Sequence, residues 1–377
     1  MAGPTRPLLP RLFSLLLVVV SGLLIGLWVG REIGATPGPT GGLKAGFWAI
    51  LLFPAALLLA VILHEVGHVL FARVGGCRPR LFVIGPLSVK REDGRLQMEW
   101  NWSGKVAGGL VVASPPDDGP IVRPVAILIA GGPLINLLCA LLAGSLYLAT
   151  EPTPAPSLRL FAGLFAGASL FIALTALNPF HKGLASDGRR LLRFWRGGPP
   201  AERDAALFTL TGLIYAGLRP AQWPGRLLEQ ATTLADGTPD EAAGQILAFY
   251  QALDLENRET AAAHLARAMQ LIDLQPPAIR PAYYLEAAYG SAMLDGDAER
   301  AAAYLARGKG GLAIEPYGRL RCEAAVLLAQ GQTVQAMERV DRALEMLSHK
   351  EKIGTDHLEE SLLLDLQARA GSALEGR

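Results

Sequence analysis

Hydrophobic positions along this chain fall into two regimes. Up to about residue 195 they come in long unbroken runs, at 12–30, 47–74, 124–148 and 158–177. Each run is about the 17–25 residues that a helix needs to cross a bilayer. Beyond the Arg196–Pro200 stretch "RGGPP", apolar residues are interleaved with charged ones at helical spacing, at a length typical of one soluble domain. Between the second and third runs, residues 81–114 break into short alternating stretches around Asp93-Gly94, a hairpin turn signal, and read as a small β insertion. The expected fold is mainly α. A polytopic membrane helix bundle of about four spans with the β insertion occupies 1–198, and a soluble all-α helical-repeat domain occupies 199–377.

The repeats show as internal similarity. "ETAAAHLARA" (Glu259–Ala268) returns as "ERAAAYLARG" (Glu299–Gly308), 40 residues on, and as "VQAMERVDRA" (Val334–Ala343) after a further 35. "AQWPGRLLEQA" (Ala221–Ala231) precedes them at a similar spacing. Gly296-Asp297 and Gly331-Gln332 stand where a helical hairpin would turn. Helix pairs at this period resemble tetratricopeptide repeats, although the characteristic Trp-Leu-Gly-Tyr positions are mostly missing. Such arrays present a concave surface to a peptide or protein.

Composition narrows the class. The chain has 377 residues, of which 51% are hydrophobic, above what an average soluble enzyme carries. A net charge of +1 supplies no basic field for nucleic acid. The three cysteines, Cys77, Cys139 and Cys322, give neither a disulfide framework nor a cysteine-rich zinc pattern. The first apolar run follows Arg6 and Arg11 but exceeds a usual signal-peptide core, so it reads as a span. Basic residues concentrate before the first run, between the second and third, and after the fourth. Four spans place all three segments in the cytoplasm at once, and with them the N-terminus and the repeat half.

Chemistry enters at "VILHEVGHVLF" (Val61–Phe71), which sets His64, Glu65 and His68 inside an apolar run. On a helix, residues four apart share a face, so His64 and His68 can hold one metal ion, with Glu65 in reach of a water beside it. Two imidazoles suit zinc, and a catalytic zinc normally takes a third protein ligand. Glu92 and Glu99 are weak candidates, because "KREDGRLQMEW" alternates and turns like a hairpin. Asp187 is the better one. Asn178-Pro179 ends the fourth run, and Asp187-Gly188 follows on the same cytoplasmic side, as do His64 and His68, about ten residues before Arg73. To reach them the chain must dip back toward the membrane.

Three motifs taken together resemble the site-2 protease family of intramembrane zinc metalloproteases. They are His64-Glu65-x-x-His68, then "GGPLINLL" (Gly131–Leu138) in the next run, then Asn-Pro followed by Asp187-Gly188 after the last. The resemblance implies that His64, His68 and Asp187 bind Zn2+, that Glu65 is the general base, and that Asn136 lines the site and helps hold the substrate backbone. It also implies that the β insertion lies against the site and pairs with an extended substrate. The segment "NPFHKGLASDG" departs from the family's apolar, proline-rich Leu-Asp-Gly form, and His181 within it reads as an interfacial loop histidine.

The expected activity is zinc-dependent endopeptidase cleavage of a membrane-protein substrate within or near its transmembrane segment. The alternatives are a membrane-anchored scaffold with a vestigial zinc site and a peptidase acting on signal-peptide remnants. The expected partners are a transmembrane or membrane-associated protein substrate, the lipid bilayer and a cytoplasmic protein held by the repeats, without nucleic acid. The expected location is a prokaryotic cytoplasmic membrane.

Overall fold

A computed structural model describes residues 8–35, 41–85, 87–92, 95–100, 109–115, 119–150, 156–180, 186–311, 314–350 and 352–375. The chain divides into two compact units, Met1–Gly197 and Gly198–Arg377.

The first unit begins with helices α1 (Leu8–Ala35) and α2 (Gly41–Val74). A four-stranded antiparallel sheet follows: β1 (Arg78–Ile84), β2 (Leu87–Glu92), β3 (Arg95–Trp100) and β4 (Gly109–Ser114), in the order β3-β2-β1-β4. Helices α3 (Val122–Ala149), α4 (Pro156–Leu177) and α5 (Asp187–Arg196) complete it. Three helices among the described residues are long and apolar enough to cross a membrane: Gly42–Val74, Val122–Ala149 and Leu158–Leu177. The first predicted run lies in α1, some of whose side chains are outside the described residues, and α1 is not among the three. On α2 and α3, bulky side chains such as Ile50, Leu58, Leu70, Leu137, Leu141 and Leu142 face outward, as suits a lipid rather than an aqueous surround.

Small residues set the spacing within this bundle. A Cβ on Gly131 of α3 would overlap the Gly67 carbonyl of α2, and a Cβ on Gly67 would meet the Gly131 carbonyl group. The two backbones therefore touch at one glycine pair, the close approach that membrane helices use where burial from water contributes nothing. Helix α4 stops at Leu177, where Asn178 and Pro179 follow. Strand pairing starts earlier than the alternation suggests, because Arg78 and Pro79 already lie opposite Ser114 and Ala113. The predicted turn at Asp93-Gly94 lies outside the described residues.

The second unit holds α6 (Pro199–Tyr215), α7 (Gly225–Thr232), α8 (Pro239–Asp254), α9 (Arg258–Gln270), α10 (Arg280–Met293), α11 (Ala298–Arg307), α12 (Pro316–Ala329), α13 (Thr333–Ser348) and α14 (Gly354–Glu375). They pack as successive pairs, α6 on α7, α8 on α9, α10 on α11 and α12 on α13, with α14 against α13 and α12. The similar sequence stretches form the second helix of each pair, and Ala261, Ala301 and Ala336 are buried at the matching place in α9, α11 and α13. Asn257 and Asp297 cap α9 and α11, each accepting a hydrogen bond from the backbone N–H three residues on.

Candidate metal centre

One stripe of α3 faces the histidine side of α2. Leu128, Gly132 and Asn136 stand four residues apart and so share a helix face. Each meets the site differently. The Leu128 carbonyl lies 3.0 Å from His68 Nδ1. Gly132 has no side chain, and a Cβ there would overlap His68 Nε2 and come within 2.7 Å of His64 Nε2. Asn136 Oδ1 lies 2.8 Å from His64 Nδ1, and its Nδ2 donates to the Ala60 carbonyl at 3.1 Å.

These contacts fix both tautomers. A carbonyl only accepts, so His68 Nδ1 carries a hydrogen. The Asn136 amide must present its NH2 to Ala60, which leaves Oδ1 toward His64, so His64 Nδ1 also carries a hydrogen. Both Nε2 atoms then hold lone pairs, and they lie 3.2 Å apart. Asp187 Oδ2 is 3.2 Å from His64 Nε2 and 3.5 Å from His68 Nε2. With both rings neutral, three lone-pair atoms thus converge, an arrangement that a cation between them stabilises. Donors bound to zinc tetrahedrally at about 2.0–2.2 Å lie about 3.3–3.6 Å apart, so the triangle fits that ion. Among the described residues, His64, His68 and Asp187 form the group able to hold a metal.

Asp187 is delivered by a short brace. It opens α5, where the helix dipole favours a carboxylate. Ser186 caps that helix: its Oγ accepts from the Arg189 N–H at 3.3 Å and donates to the Asn178 carbonyl at 2.6 Å. Arg189 Nε donates to the Pro179 carbonyl at 3.0 Å. A Cβ on Gly188 would overlap the Leu177 carbonyl, so the first turn of α5 sits directly on the end of α4. His64, Glu65 and His68 are all buried. Glu65 is covered by the start of β4, since a Cβ on Gly109 would overlap its carboxyl group and Cγ.

The description "peptidase family M50" matches residues 52–359, most of the chain. The chain belongs to this family. M50 is the site-2 protease family, and membership together with three span-length apolar helices makes the protein a membrane metalloprotease. No curated protein and no solved structure matches it.

Within this M50 chain, the residues singled out from sequence separate cleanly. The structure brings His64, His68, Asp187, Glu65 and Asn136 together. Glu92 and Glu99 sit on β2 and β3, and Glu99 is exposed. His181 lies outside the described residues. Sequence reasoning missed the Leu128 carbonyl, Gly109 and Ser186. Only Ser186 carried a signal, as an N-cap residue directly before Asp187.

Proposed function

We propose that the protein is a zinc-dependent intramembrane endopeptidase that cleaves a membrane-protein substrate within or near its transmembrane segment. The observation that carries this reading is the His64–His68–Asp187 triangle, 3.2–3.5 Å on its edges, set in a span-length helix with Glu65 beside it. Zinc, when bound, supplies a Lewis acid that acidifies a water and polarises the scissile carbonyl. His64 and His68 offer Nε2 to it, and Asp187 offers Oδ2. Glu65 takes the attacking water's proton and hands it to the leaving amine. Burial of Glu65 and both histidines keeps bulk water from the reacting groups.

Strand β4 is the substrate's guide in this reading. It lies at one edge of the sheet, and among the described residues β1 is its only partner strand. A substrate helix must unwind before its peptide bond is reachable, and an edge strand binds extended chain. The second unit acts as a tetratricopeptide-like module on the cytoplasmic side, holding a substrate or a regulator. The distribution of basic residues supports a bundle of four spans, counting α1, with both ends in the cytoplasm; the membrane in this reading is a prokaryotic cytoplasmic membrane.

The test compares wild type with Glu65→Gln for zinc content and cleavage in detergent. Glu65→Gln keeps its zinc and loses cleavage by 10²-fold or more, on the order expected for a lost general base. A variant that still cleaves sinks the mechanism, and a wild type without zinc sinks the metal assignment.

A further inference from the structure

The M50 resemblance gives Asn136 to the substrate, but its surroundings point elsewhere. The side chain is fully buried, and both ends of its amide are engaged on α2. Nδ2 donates to Ala60, whose carbonyl belongs to the helical turn that carries His64. Oδ1 accepts from the His64 ring. We propose that Asn136 is a positioning residue: it locks His64 with its hydrogen on Nδ1 and so presents Nε2 as a lone pair to the metal. The proposal rests on the zinc-site reading above.

The two imidazoles need such partners for the same reason and receive them from the same helix face. A free neutral imidazole exchanges its hydrogen between two nitrogens and rotates about its bonds, and either change removes the ligand. His68 is held by the main-chain carbonyl of Leu128, which no substitution at 128 removes. His64 is held by a side chain, two helical turns along. Of the two histidines, among the described residues, His64 is therefore the one whose orienting contact a substitution can remove, and that contact is Asn136. Outer partners of metal-bound histidines fix tautomer and ring orientation, and their loss typically weakens metal binding 10–100-fold.

The test uses the full-length protein in detergent, stripped of metal, with zinc alone as the probe. Zinc affinity is read by competition with a chromophoric chelator, and site geometry by the visible spectrum of the cobalt(II) form. Asn136→Leu binds zinc about 10–100-fold more weakly than wild type and alters the cobalt spectrum. Asn136→Asp, whose carboxylate accepts the same hydrogen, recovers zinc affinity to within about fivefold. Asn136→Leu with wild-type zinc affinity overturns the proposal and returns Asn136 to the substrate. A wild-type protein that binds no zinc overturns the zinc-site reading instead, so the two failures are distinct. A third measurement stands if either variant fails to fold. The ¹⁵N spectrum of histidine-labelled apo wild type, with His64 assigned by its loss in His64→Gln, shows the hydrogen on Nδ1. A hydrogen on Nε2 overturns the proposal.

Discussion

A missing side chain is as important to this site as the ligands. Gly132 stands between the two residues of α3 that orient the histidines, and any Cβ there enters the space of both Nε2 atoms. Gly132→Ala therefore weakens zinc binding by roughly the 10–100-fold seen when a ligand's surroundings are disturbed. Chelator competition measures it, and wild-type affinity in that variant would show that the rings can yield. The three residues of the triangle were legible in the sequence. Histidines four apart announce one helix face, and Asp187 stands out because Asn178-Pro179 must end a helix just before it. The Leu128 contact was not legible, because a main-chain carbonyl has the same chemistry whatever residue carries it. Gly132 was visible only as part of a packing motif, since absence of a side chain does not say what fills the space.

At the scale of elements, the sheet reaches the chemistry through one residue. Gly109 begins β4 and lies against the Glu65 carboxyl group. Gly109→Val forces either the strand or the carboxylate to move, while His64, His68 and Asp187 keep their own supports from Leu128, Asn136 and Ser186. A misplacement of about 1 Å is enough to lower activity on the order of 10²-fold. The expected result is a protein with full zinc content and a cleavage rate reduced to that extent. Unchanged cleavage would mean that β4 does not set the position of Glu65. Alternation in the sequence announced the strands, but not which of them is the edge beside the site. Edge position depends on the order β3-β2-β1-β4, and that order is decided by which strands β1 pairs with, not by any one strand's pattern. Helix α2 likewise begins at Gly41, ahead of the apolar run, because Gly41–Gly46 contain no proline to stop it.

At the scale of the whole molecule, each unit has its own means of cohesion. The first packs apolar helices through glycine contacts, and the second buries an alanine- and leucine-rich core that has a charged knot at Arg321. Arg321 of α12 lies in that knot with its side chain 1% exposed. Its Nη2 donates to both oxygens of Glu286 on α10 at 2.9 Å, and its Nε donates to Glu359 on α14 at 2.7 Å. Tyr250 of α8 donates to the same Glu286 at 3.1 Å, and the guanidinium lies 4.4 Å from the centre of the Tyr289 ring. The cation therefore ties α10, α12 and α14, and Glu286 extends the knot to α8. Burial raises the Glu359 pKa, and the attraction of Arg321 opposes that rise. Arg321→Met leaves the buried Glu286 and the partly buried Glu359 without their cation, a change that costs about 3–5 kcal/mol when a buried pair is broken. The sign with pH follows from the direction of the shift. A carboxyl whose folded pKa lies above its unfolded value destabilises the fold increasingly as pH rises through that interval, and protonation below it removes the penalty. Since the second unit has its own core and no span-length apolar helix among its described residues, the fragment Gly198–Arg377 is expected to fold alone and unfold cooperatively in urea. In that fragment Arg321→Met lowers stability by about 3–5 kcal/mol at neutral pH and by less in acid. Equal stability of the two fragments at neutral pH would show that apolar packing alone holds the four helices together.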